Sequence, residues 1–234
     1  MKKILITTLV LLYMTQAFSQ SFGGGLQAGF NYSWLSIDSK EAEEMGGRTS
    51  FSAGAFFDNN FSDNFSFTTG ININSTGGTI KYLNPIVLKW DGVDYNLGED
   101  SEVFYKIKQL EIPFSIKGRT QKIGYFTYFA KLGMSVSFVI SSKADIVTGA
   151  ATDAKGNTVD DTKDLNIKDN INTFNMGWHI GGGFEYYLGG TTAIITEIFF
   201  ANNFMDLAKN NITGDGPEVG LRTSMVVFKT GIKF

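Results

Sequence analysis

The sequence predicts an all-β fold: an eight-stranded, antiparallel, up-and-down transmembrane β-barrel. Three observations carry this. Eight segments alternate apolar and polar residues at period two, the spacing of a strand whose faces meet different surroundings. The connections between them alternate between short turns and long polar stretches, as in a membrane barrel. The 234 residues include 27 Gly and 21 Phe but only three Pro and no Cys, a balance that favours strands and turns.

The segments follow in order. In the first, residues 22–36, Phe22, Leu26, Ala28, Phe30, Tyr32 and Trp34 oppose Gly, Gln, Asn and Ser. The second alternates Phe51, Ala53, Ala55 and Phe57 with Ser52, Gly54, Phe56 and Asp58. Phe65, Phe67, Thr69, Ile71 and Ile73 mark the third, and Leu110, Ile112, Phe114 and Ile116 the fourth. By parity Lys106 and Lys108 share the apolar face of that fourth strand, so they are expected above its apolar band. The fifth runs from Phe126 to Phe138 and the sixth from Phe174 to Tyr186. The seventh carries Ile194, Ile198, Phe200 and Phe204, and the eighth is "SMVVFKTGIKF", ending at Phe234. Segments 59–63, 118–124 and 188–191 read as turns, while 37–47, 83–102, 142–172 and 207–220 read as long loops. No further domain is expected outside these strands.

Residue size decides which face turns inward. A soluble ligand-binding barrel would put the apolar rows inside. Eight strands enclose a space just wide enough for side chains, and rows of Phe, Trp and Leu would overfill it. Gly, Ser, Asn and a few long charges fit, so the apolar rows face lipid. Aromatics agree, gathering at both ends of the outward columns: Phe22, Phe57, Phe65, Phe114, Phe126, Tyr186 and Phe234 at one, Trp34, Phe51, Phe138, Phe174 and Phe204 at the other. Lipid would also cover the strand that ends at Phe234, and pairing it with the first strand removes both free edges.

Residues 1–19 read as a signal peptide, with Lys2 and Lys3, a short apolar core, and Ala17 and Ser19 at the cleavage positions. Residues 20–234 are then the exported barrel domain, with 18 basic and 23 acidic residues, a balance that argues against nucleic acid as partner. The leader, the strand "YKIKQLEIPFSIK" and the terminal "FKTGIKF" resemble the PorT-like, porin-family eight-stranded outer-membrane barrels of Bacteroidetes-type bacteria. That resemblance implies an outer-membrane location. It also implies a role for Phe234 as the signal read by the barrel-assembly machinery.

On the inward face, parity places Glu111, Lys117, Lys131, His179, Glu185, Glu197, Lys229 and Lys233. Charges withdrawn from water need partners, so an ion-pair network filling the lumen is expected. The alternative is a narrow polar pore for small solutes or ions. His179 is the single histidine, and Ser135 and Ser137 share its face without a spacing that makes a catalytic set. No catalytic residue, cofactor or metal ligand is assigned. The aspartates of 142–172, among them Asp145, Asp153, Asp160, Asp161, Asp164 and Asp169, lack calcium-loop spacing. The expected function is a small outer-membrane scaffold whose surface loops serve stability or interaction. Its expected partners are outer-membrane lipid, the assembly machinery and a loop ligand of unassigned chemistry.

Overall fold

The computed structural model describes residues 22–153, 156–159, 162–209 and 220–234. The expected leader, residues 1–19, lies outside them, as do Asp160 and Asp161. Twelve strands are described: β1 (Phe22–Ile37), β2 (Ala42–Asn60), β3 (Phe65–Tyr82), β4 (Ile86–Trp90), β5 (Val93–Leu97), β6 (Ser101–Arg119), β7 (Phe126–Thr148), β8 (Ala151–Thr152), β9 (Leu165–Asn166), β10 (Phe174–Gly189), β11 (Thr192–Asn203) and β12 (Leu221–Lys233). Eight of these form a closed antiparallel ring, β1-β2-β3-β6-β7-β10-β11-β12, in which β12 returns to β1 through the run from Gly25↔Lys233 to Ile37↔Leu221. Phe234 completes that seam: its N–H donates to Gly24 O at 2.8 Å, and Gly24 N–H donates back at 3.4 Å. Closure leaves the ring without a free edge, the condition for a sheet surrounded by hydrocarbon.

The outward rows are exposed and apolar through the middle of the ring. Leu26, Phe30, Leu132 and Ile198 stand fully in view, and the aromatics at both ends do so too. Tyr186 and Trp34 are half-buried by neighbours, Tyr186 against Phe126 at 5.0 Å between ring centres and Trp34 against Phe200 at 6.2 Å. Twelve residue steps separate Phe126 from Phe138 on β7. At about 3.3 Å per step and a tilt near 40° they span roughly 30 Å, enough for the apolar belt and its two flanking girdles.

Beyond that belt the structure departs from the expected loops. Segment 37–47 holds only a tight turn at 38–41, because β2 begins at Ala42. β3 continues to Tyr82, β6 begins at Ser101 and β7 continues to Thr148. Segment 83–102 folds back as the β4–β5 hairpin, which pairs with β8 in a second, three-stranded sheet. Segment 142–172 holds the end of β7, β8, β9 and a short 3-10 turn at Lys168–Asn170. These pieces enclose an apolar core made by Leu35, Ile80, Tyr82, Leu88, Trp90, Leu97, Val103, Tyr105, Ile107, Ile146, Ile167 and Leu221, with others. Lys106, as expected, faces outward above the belt, paired with Asp145 at 2.5 Å.

The reason is solvent. Within the bilayer the outside is apolar and the inside polar. Above it, water replaces lipid and the polarity inverts, so the extended strands bury apolar side chains inward as a soluble sheet does. β7 makes the change with an extra residue. Its pairing with β6 jumps from Lys108↔Ser141 to Gln109↔Val139, a bulge at Ile140.

The lumen as candidate functional site

Inside the ring the side chains sort into layers. At the short-turn end, Lys117 Nζ lies 3.0 Å from Asp58 Oδ2 and 2.5 Å from Glu185 Oε1. Lys233 Nζ reaches the same two carboxylates at 3.1 and 2.9 Å. Thr68 Oγ1 donates to Asp58 at 2.6 Å, and Tyr187 OH donates to Glu185 at 2.9 Å. Two ammonium groups thus face two carboxylates, and each carboxylate accepts one further hydrogen bond from a hydroxyl. Withdrawal from water is tolerable under that condition. The four charged side chains are between 0 and 7% exposed, so they present little surface to water.

The next layer is apolar. Phe56 and Phe129 point inward with Ile195 and pack into one cluster. Phe56 falls on the polar face of its segment in sequence as well, whereas Phe129 and Ile195 add apolar bulk to an interior expected to hold mainly Gly, Ser, Asn and a few long charges. Phe56 shares its face with the polar residues of β2, and the neighbouring glycines make room for a large ring. The charges exploit it: Lys117 Nζ lies 4.4 Å from the centre of the Phe129 ring, and Lys131 Nζ 5.2 Å from it.

Above these rings lies a second charged layer. Lys131 Nζ contacts Glu197 Oε2 at 2.5 Å. Glu111 accepts from Asn72 Nδ2 at 3.1 Å and Asn74 Nδ2 at 2.9 Å. Ser115 Oγ and His179 Nε2 are 2.7 Å apart. Lys229 lies 5.2 Å from the Phe199 ring centre. Among the described residues its Nζ makes no hydrogen bond, nor does Gln27 Oε1. Both residues border a cavity of about 40 Å³. That volume has room for roughly three water molecules.

The sequence-derived residues therefore fall into two groups. Lys117, Glu185 and Lys233 come together low in the lumen, while Glu111, Lys131, His179, Glu197 and Lys229 line the cavity. Asp58, Asn72, Asn74, Thr68 and Tyr187 complete these contacts and were not singled out by sequence. The serine beside His179 is Ser115, not Ser135 or Ser137. Glu185, six residues from His179, is bound to lysines in the other layer. Among the described residues no group of three or more His, Cys, Asp or Glu side chains is placed to hold a metal. No described helix is long and apolar enough to cross a membrane.

The chain is similar to several known outer-membrane proteins. The outer membrane protease OmpT from Escherichia coli aligns with a TM-score of 0.50 at 8% identity, over 91% of this chain and 96% of that one. OprG from Pseudomonas aeruginosa gives 0.46 at 14%, over 92% and 97%. Ail, the attachment invasion locus protein of Yersinia pestis, gives 0.41 at 9%, over 92% and 99%. At such identities the likeness concerns fold alone. No curated protein sequence matches the chain. The profile of the outer membrane protein beta-barrel domain matches residues 18–209, most of the chain, and so the chain belongs to that outer-membrane barrel family.

Proposed function

We propose that the protein is a closed outer-membrane scaffold that carries a folded head at the cell surface. The observation that carries this reading is a lumen obstructed at both ends. A neutral, buried ion-pair cluster fills the short-turn end, and the apolar core around Ile80, Tyr105 and Ile107 fills the other. Water and ions do not cross an apolar plug of packed side chains. In this reading Glu111, Lys117, Lys131, His179, Glu185, Glu197 and Lys229 are structural, and His179 has no catalytic duty. The PorT-like, Bacteroidetes-type affinity, removal of a leader at residues 1–19 and reading of Phe234 by the assembly machinery are parts of the same proposal. The first and last rest on sequence resemblance, and the leader on the basic and apolar pattern of its own residues.

A narrow channel is the second reading, favoured by the cavity between Lys131, Glu197 and Lys229. Single-channel recording of the refolded protein in a planar bilayer separates the two. A barrel that shifts mobility on boiling yet passes no current is the expected result. Reproducible steps whose ion selectivity changes with Lys131→Ala would overturn the scaffold and make these charges a conduction path.

A further inference from the structure

Rows of paired residues on the outer surface of β3, β6 and β7 record where lipid ends. Ile73, Leu110 and Phe138 stand side by side across the three strands. The next row up is Ser75, Lys108 and Ser141, and the one above it is Gly77, Lys106 and Lys143. Thr79, Phe104 and Asp145 follow. The surface thus passes from apolar to hydroxyl and ammonium in one two-residue step, about 6.6 Å along the strand. The first row belongs to the lipid belt, so the second and third stand at headgroup level.

Arg48 of β2 reaches the same face. The β2–β3 ladder is interrupted between Gly47↔Gly78 and Ser52↔Asn74, and Arg48 crosses at that gap. Its Nη1 donates to Thr76 O at 3.0 Å, and its guanidinium carbon lies 5.9 Å from the centre of the Phe104 ring. Lys106 Nζ lies 5.8 Å from the same ring. Gly77 lies beside the crossing: with φ at +150°, a Cβ there would stand 1.9 Å from Tyr105 O, while Arg48 Cδ would be at an ordinary contact distance of 3.4 Å.

The charges on this face do not balance. Lys106 is held by Asp145 at 2.5 Å and Asp164 at 3.2 Å, and Lys143 lies 3.9 Å from Asp164. Lys108 is exposed and makes no ion pair among the described residues. Arg48, Lys106, Lys108 and Lys143 therefore face two carboxylates. Lys106 and Lys143 are direct cross-strand partners and share Asp164, so among the described residues the cations of this face left without a carboxylate are Arg48 and Lys108.

We propose that this face binds the phosphorylated headgroup of an outer-leaflet lipid. Lys108 and Arg48 contact phosphate oxygens, the hydroxyls of Ser75 and Ser141 flank them, and the acyl chains lie on Ile73, Leu110 and Phe138. Charge-assisted hydrogen bonds from ammonium and guanidinium suit phosphate. Continuity with the apolar belt selects a lipid over a soluble anion. The inference holds whether or not the lumen conducts.

Native mass spectrometry of the full chain in detergent tests it, with bisphosphorylated lipid A, its dephosphorylated form and inorganic pyrophosphate as probes. The protein is expected to retain one bisphosphorylated lipid at least tenfold more tightly than the dephosphorylated one. Arg48→Gln with Lys108→Gln is expected to erase that preference while keeping the fast-migrating folded band. Lys108→Gln alone, whose side chain has no protein partner among the described residues, is expected to weaken it severalfold and guards against a double variant that does not fold. Equal retention of the two lipids, or undiminished retention by both variants, overturns the proposal. Pyrophosphate bound as tightly as the lipid and lost in the same variants would assign the face to a soluble phosphate and overturn the lipid.

Discussion

Lys117 has no exposed side-chain surface and touches two carboxylates at once. Replacing it with methionine leaves Asp58 and Glu185 to share Lys233. The expected loss is about 3–5 kcal/mol, the cost of leaving a buried charge uncompensated. A lower urea midpoint in refolding from detergent measures it. Adding Asp58→Asn is expected to lose less than the two single changes summed, because the double variant removes one charge of each sign. Gly77→Ala is expected to cost at least about 1 kcal/mol, since alanine is strained at this φ and the added methyl meets the Tyr105 carbonyl. Its midpoint against that of an alanine at exposed Gly46, which meets nothing within 4 Å, checks the assignment. At this scale the sequence was half legible. Period-two parity is enough to show that Lys117 and Glu185 point inward. It carries nothing about which strands face each other across the lumen, so the pairing of Lys117 with Asp58, 59 positions away, needs the ring's stagger.

The elements above the membrane were harder to read, for a physical reason. The segments "STGGTIKY" and "SEVFYKIK" alternate as cleanly as the strands below them, with Ile80 and Tyr82 in one and Val103, Tyr105 and Ile107 in the other buried inward. A rule that sends apolar residues outward breaks where lipid gives way to water, so the third strand reads no further than the apolar belt, and only residues 101–102 of the second stretch fall in a segment that reads as loop. The bulge at Ile140 shifted the phase of β7 as well. In the hairpin, Trp90 is 5% exposed and stacks on Tyr95, their ring centres 3.4 Å apart. Trp90→Ala is expected to loosen β4 and β5 by about 3–5 kcal/mol. Hydrogen exchange would show it as lost protection over residues 86–97, with the β1–β12 and β7–β10 ladders unchanged. Equal loss in those ladders would mean that head and barrel unfold as one unit.

For the whole molecule, strand number and the lipid-facing rows were the most legible features, because they repeat eight times and each repeat obeys one geometry. A closed ring of this kind keeps its shape in detergent without heating. The unboiled protein is expected to migrate ahead of the boiled form, and Lys117→Met is expected to convert at a lower temperature. The head has a consequence for how the molecule reaches that state. Leu35 on β1 and Leu221 on β12 both belong to its apolar core, so the core is finished only when the ring is joined. Once it is finished, withdrawal would require tearing that core open and hauling Lys81, Glu102, Lys106 and Asp145 back through hydrocarbon, at roughly 2–4 kcal/mol per lysine near the midplane. The head acts as the upset end of a rivet: insertion runs in one direction, and the finished barrel does not slip back.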